Sequence, residues 1–417
     1  MAQQPRQHIN PWWYTSALAV AWAIYQVFEF QYWQWPTNLP LDKGAGPFVR
    51  AAWLNAAVMV GVCIASFLIL GCQRLDRTRS RARQWVIVPP LALFLTLHIG
   101  VWWVNQRSAW LWVEDVGKMT VAADRAVLHG INPYAAHTDP EHNDVTANNL
   151  HGYKYFPLMM AAYAPAVALV HNGDQAILLA NLIFSLIAAG VLAALAWRWI
   201  SPDAALFCMT LFFMSRLISE EELQRGSNDV VPMILVMLGL LVIERRLLCG
   251  FLIGLAISSK LLPGLLWVVI CLTPRDWRRY FGGIALGLIP CLLFAAWDPT
   301  PFIRNAILFP LTRPREGQSI FYPMPAWVGL AAEVATCVAW LIFAVRAWRV
   351  DLLPLRRCAF AAALIVLFEF VSPNVHQNYF IWWFMPFCLS ATALAFNPAI
   401  YEWIGNGRGL TTERKPT

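Results

Sequence analysis

Charge is scarce in this 417-residue chain: 13% of its residues are Asp, Glu, Lys or Arg, where a soluble domain carries about 25%. So few charges cannot dress a water-facing surface, and apolar residues reach 59%. Linkers are lacking as well. Length alone suggests two or three domains, but no Pro/Gly/Ser-rich or low-complexity tract separates the apolar runs, so one membrane domain is expected. There is no cysteine framework either. The nine cysteines, among them Cys63, Cys208 and Cys291, fall in or at the ends of apolar runs, and the long polar stretch after Trp103 has none. Disulfides and a thiolate metal site are thereby disfavoured. The first apolar run, Trp12 to Phe30, has no small-residue cleavage signature and exceeds a signal-peptide core, so it is expected to persist as a helix.

What is present is a series of apolar runs. After the first, they recur at Ala51 to Leu70, Trp85 to Val104, Ala176 to Trp197, Tyr280 to Trp297, Ala326 to Ala347, Ala359 to Val371 and Phe380 to Phe396. Several reach the roughly 20 residues that a spanning helix needs, and the pattern predicts an all-α polytopic membrane protein of roughly eleven to thirteen transmembrane helices. The formal charge of +7 points to topology rather than to nucleic acid, because the basic residues cluster in short turns where the positive-inside rule expects them. Arg74 to Arg83, Arg275 to Arg279 and Arg346 to Arg357 mark three such turns. They are expected to be cytoplasmic, together with the tail at 399–417. N-terminal spans then occupy 1–104, an extracytoplasmic loop 105–156, and helices lining a cavity 157–398.

Prolines break many of the later segments, and broken helices at membrane depth line cavities. Leu247 to Thr273 reads as two short helices meeting near Lys260, which would otherwise lie in mid-bilayer. Pro157 to Val170 satisfies the charge rule better if it does not cross, since Arg245 and Arg246 then fall inside and Glu220 to Asp229 outside. No internal repeat is visible, which disfavours repeat-built transporters.

The outward loop is acidic, and Glu114 and Asp115 follow the aromatic belt Trp102, Trp103, Trp110 and Trp112. A carboxylate at that interface can take a proton from a sugar or lipid hydroxyl, which makes Asp115 the candidate base; a helix cap or solvated face is the alternative. Asp124 to Tyr134 reads as a short interfacial helix stopped by Gly130, Asn132 and Pro133, with Asp124 and Arg125 as packing or salt-bridge residues. The loop histidines His129, His137, His142 and His151 lack metal-ligand spacing. Lys154, in HGYKYFPL, could hold a lipid phosphate or snorkel to headgroups. Glu220 to Asp229 forms a polar island in which Arg225 suits a phosphate or sugar, internal ion pairing being the alternative. Lys260 is a functional candidate by its depth, and His376 lies on the turn SPNVHQNY, where it could bond a phosphate or relay a proton.

The order of these elements resembles the GT-C glycosyltransferases, specifically the polyprenol-phosphate-mannose-dependent group of PimE-like mannosyltransferases. The resemblance rests on Asp115, then D-x(3)-L-x-G-x-N-P-Y at Asp124 to Tyr134, YKYFPLMMAAYAP, the QRGSND island, G-x-x-x-G-x-A-x-x-x-K-x-x-P at Gly250 to Pro263, and SPNVHQNY with Pro386 beyond it. It departs from the pattern at Arg225-Gly226-Ser227-Asn228, where many members have Gly-Gln, and in carrying two spans ahead of the span leading to the loop. The resemblance implies a GT-C-type fold with a large catalytic first loop, in the bacterial plasma membrane with its site facing the extracytoplasmic side. It implies an inverting glycosyltransferase that moves a sugar, mannose above all, from a polyprenyl-phosphate-linked donor to a lipid or glycan hydroxyl. By it Asp115 is the base, and Lys154, Lys260, His376 and, less directly, Arg225 bind the donor phosphate. No cofactor is implied, and the metal requirement stays open. A transporter or flippase for an anionic or glycosylated lipid is the rival reading, since buried Lys260 and Glu369 and broken helices suit either class.

Overall fold

The computed structural model describes residues 115–135, 152–213, 217–312, 325–349, 354–372 and 377–396, with Ser215 and isolated positions between 92 and 113. The spans expected before residue 105 and the tail after 398 lie outside these, as do His137, His142 and His151. Among the described residues every regular element is a helix. The main helices are α1 (Asp115–Leu128), α2 (Pro157–Leu169), α3 (Gly173–Trp199), α4 (Pro202–Phe213), α5 (Val230–Leu241), α6 (Arg246–Ser259), α7 (Leu261–Cys271), α8 (Trp277–Gly287), α9 (Ile289–Trp297), α10 (Ala326–Arg349), α11 (Pro354–Val371) and α12 (Ile381–Phe396). Helices α3 and α10 are each long and apolar enough to cross a membrane, and α8 and α9, bent by 42° at Leu288, pass together. The exposed residues Leu330, Val334, Leu341 and Ile342 of α10 are what a lipid-facing helix requires, and the protein is an integral membrane protein.

Helices α6 and α7 form an antiparallel hairpin with Lys260 at its tip. The tip exists because Lys260 takes an extended backbone (φ −150°, ψ 126°), while Pro263 in the first turn of α7 has no N–H to donate backwards and so suits a fresh helix start. At the open end, Arg246 donates to the Cys271 carbonyl at 3.3 Å and Arg357 to the carbonyls of Ile270 and Leu272 at 2.6 and 2.9 Å. These cations meet the orphan carbonyls and the negative dipole end of α7. Arg198 reaches the Leu241 carbonyl and Glu244. The basic turns thus gather at one end of the bundle, opposite the tip.

Segment α2 is a single 13-residue helix. Its entrance is tied to α1 by Tyr153, whose hydroxyl donates to Thr120 Oγ1 at 3.5 Å, and its exit by Arg125, which donates to the His171 carbonyl at 2.8 Å. Helix α1 itself packs on the protein: Val121 and Ala123 are buried, and Val121 lies against Gly173 at the start of α3. The helix expected from sequence therefore packs on α2 and α3 through Val121 and Ala123.

The tightest packing is between α6 and α8. A Cβ on Gly250, Gly254, Gly283 or Gly287 would overlap backbone atoms of the facing helix, Tyr280, Ile284, Leu247 and Phe251 in turn. Apolar side chains gain nothing over lipid by burial within a bilayer, so helices there associate through small residues that let backbones touch. Ser258 adds a hydrogen bond to the Gly287 carbonyl at 2.7 Å. Gly254→Val is expected to force the pair apart and to cost more than a typical overpacking substitution, about 3 kcal/mol or more. Thermal unfolding of the detergent-purified variant checks this; a melting point equal to wild type would refute the contact.

Candidate active site

The polar island is folded as a compact strut. A π-helical turn, Leu217–Glu222, is closed by Ser227 N–H donating to the Glu221 carbonyl at 2.9 Å, and Gly226 adopts φ 72° to make the reversal. Only glycine takes that conformation without strain. A Cβ there would also meet Ile177 and Val113, and one on Gly117 would lie 2.8 Å from the Gly226 carbonyl oxygen. The first turn of α1 consequently rests on the island backbone. Asn228 ties the same surfaces, donating from Nδ2 to Thr120 Oγ1 at 3.4 Å. From behind, Asn181 of α3 donates to the carbonyls of Glu222 and Ser227 and accepts from the Tyr163 hydroxyl of α2.

Asp229 ends the strut and is fully buried. Its Oδ1 accepts from Lys260 Nζ at 2.6 Å and from Trp382 Nε1 at 2.6 Å, and its Oδ2 from Ser227 Oγ at 3.1 Å. The Lys260 ammonium stands 5.2, 5.0 and 5.8 Å from the ring centroids of Tyr155, Tyr379 and Trp382, within cation–π range. Tyr379 and Trp382 stack at 4.5 Å, placed by the 3-10 turn Gln377–Phe380 that opens α12. Two further carboxyls interact with Asp229: Glu222 in the π turn and Glu369 on α11, both buried. Burial, reinforced by Asp229 and Glu221, pushes the Glu222 carboxyl well above the usual range, against the opposing pull of Lys260 and the Val230 N–H.

Of the residues expected from sequence, Lys260 thus sits at a helix break in contact with the island. Lys154 is one residue from Tyr155, largely buried, with its ammonium 4.5 Å from the Phe309 ring centroid. Arg225 is ion-paired with Glu221 at 3.0 Å, the pairing that stood as its alternative reading. Asp115 opens α1, two residues before the Gly117 contact; its side chain and all of His376 lie outside the described residues. Sequence reasoning missed Asp229 as the partner of Lys260, and it missed Trp382 and Tyr379. The Asn-Pro-Tyr turn proves to be a support, with Tyr134 fully buried, donating to the Tyr155 carbonyl at 2.7 Å and accepting from Asn305. Among the described residues no group of three His, Cys, Asp or Glu side chains is arranged to hold a metal.

Asp124 is buried on α1 with Oδ2 unpaired among the described residues. Burial pushes its carboxyl from 3.8 up to about 6, with Arg125 pulling the other way. A raised folded-state value means that protonation favours folding: the contribution is full below 3.8 and is lost as pH rises through about 6. Asp124→Asn is expected to flatten this part of the pH dependence, so that its melting point falls less than that of wild type between these two values. A parallel fall in both proteins would rule the assignment out.

The described residues thus form a helical membrane bundle with a buried cation, an aromatic surround and a helix seated on a polar strut. A model of glycosyltransferase family 87 matches residues 153–373, more than half of the sequence, and the chain belongs to that family. Two solved structures share the fold. The crystal structure of ArnT from Cupriavidus metallidurans bound to undecaprenyl phosphate aligns with TM-score 0.51 and 21% identity, over 73% of this chain and 59% of that one. The apo form of the same protein gives TM-score 0.51 and 21% identity over 75% and 60%. The chain thus spans about three fifths of the length of these structures. No curated protein matches it.

Proposed function

We propose that this protein is an inverting glycosyltransferase that moves a sugar, mannose in our reading, from a polyprenyl-phosphate-linked donor to a hydroxyl of a lipid or glycan acceptor on the extracytoplasmic side. The observation that carries the reading is the seating of α1 on the island through Gly117 and Gly226, since the same island holds Lys260 through Asp229. A base at the head of α1 and a cation at the hairpin tip are thereby borne by one strut. Family membership supports glycosyl transfer, and the ArnT structure bound to undecaprenyl phosphate supports the donor class. The clustering of basic turns at the opposite end of the bundle supports an outward-facing site.

In this mechanism the Asp115 carboxylate takes the proton of the acceptor hydroxyl, and the resulting oxygen attacks the anomeric carbon. The carbon–oxygen bond to the phosphate breaks, its electron pair goes to the phosphate, and the configuration inverts. Lys154 and Lys260, with His376 and Arg225 at the margin, meet the negative charge that grows on the departing lipid phosphate. Purified protein given polyprenyl-phosphate-mannose and a membrane lipid extract is expected to consume donor and yield a glycosylated product. Movement of the lipid across a vesicle membrane with its glycosidic bond intact would instead establish a flippase.

A further inference from the structure

Lys260 is not a bare cation. Its partner Asp229 is fully buried at 2.6 Å, and the side chain of Lys260 is only 10% exposed. Within the same cluster lie the carboxyls of Glu222 and Glu369, so the described surroundings of Lys260 carry no surplus of positive charge for an anion. Asp229 is also held independently of Lys260, by the Trp382 indole on Oδ1 and the Ser227 hydroxyl on Oδ2. Two donors that stay in place allow the carboxylate to remain in position while the ammonium turns part of its charge elsewhere. Lysine suits this role, as a compact point charge with three donors on a flexible stem.

The chemistry at the site changes the charge that Lys260 must meet. A sugar-linked polyprenyl phosphate is a phosphodiester with one negative charge, and the spent carrier is a monoester that carries more. A cation left uncompensated would bind the product more tightly than the donor and slow its departure. We propose that Asp229 is the resident counter-ion of the donor site, a positioning residue that aims Lys260 at the hairpin tip and neutralises it between turnovers so that the spent polyprenyl phosphate leaves. This rests on the donor class proposed above. The opposite role, a purely structural anchor whose charge does not compete with phosphate, predicts unchanged or weaker phosphate binding once the carboxylate charge is removed.

The test measures binding of undecaprenyl phosphate to the full-length protein in nanodiscs, together with steady-state transfer from polyprenyl-phosphate-mannose. Asp229→Asn keeps the shape and the Oδ1 acceptor and removes only the charge. It is expected to bind undecaprenyl phosphate at least about tenfold more tightly than wild type, in line with the coupling energies of close charge pairs. Its KM and kcat should fall together as product release slows. Asp229→Glu, which keeps the charge, should not tighten carrier binding as the charge-removed variants do. Asp229→Ser removes the same charge with less steric demand and serves as the second arm if the asparagine variant does not fold. Unchanged or weaker binding by the charge-removed variants overturns the counter-ion role. Absence of binding by wild type overturns the donor class and the counter-ion role with it, which separates the two failures.

Discussion

Asp115→Asn is expected to lower kcat by about a thousandfold, the middle of the range over which a positioned general base acts, while leaving undecaprenyl phosphate affinity within about twofold because the amide cannot accept the proton but fills the same space. The expectation depends on where the backbone of α1 is held. Its first turn rests on the Gly226 carbonyl through Gly117, and Thr120 accepts from Asn228 one turn later. The head of the helix is thus fixed to the strut that bears Asp229, and a base placed there keeps its relation to Lys260. Donor consumption measures turnover and carrier binding measures the site. Full turnover by the asparagine variant would mean that another group deprotonates the acceptor.

Much of this architecture was legible in the sequence because membrane insertion imposes strong local rules. An ionisable residue amid two apolar half-helices demanded a break, and Lys260 lies at one, with Pro263 just inside the second helix. The Gly250 and Gly254 spacing looked like a family signature, and its physical reason is the backbone contact with α8. Pro157 marked a helix start, and α2 begins there, tied to α1 at its two ends through Tyr153 and Arg125.

Pairing across the fold was not legible. Nothing local distinguishes Asp229 from its neighbours Glu221 and Glu222: all are acidic residues at the edge of an apolar helix. What separates them is partner geometry, since Glu221 faces Arg225 four residues away, whereas Asp229 meets groups 31 and 153 residues distant. The bland reading of Arg225 as an internal ion pair was available because an i, i+4 partner is visible in sequence. The seating of α1 on α2 and α3 was hidden for a related reason. Helical periodicity reveals that a face is buried but not whether lipid or protein buries it.

Lys260→Met tests the hub most severely. Removing the ammonium leaves a fully buried Asp229 carboxylate with two neutral donors and with Glu222 and Glu369 close by. Breaking a buried pair from one side costs about 3–5 kcal/mol, whereas replacing both partners by neutral groups of similar volume is often nearly neutral. The single variant is therefore expected to melt well below wild type, and Lys260→Met with Asp229→Asn to recover most of the loss. Transfer activity should not follow that recovery, because neither variant has a cation at the tip to meet the leaving phosphate. Melting curves and donor consumption on the same three preparations separate the two roles. A single variant as stable as wild type would show that the pair contributes nothing to folding, and a double variant with wild-type turnover would remove Lys260 from the mechanism.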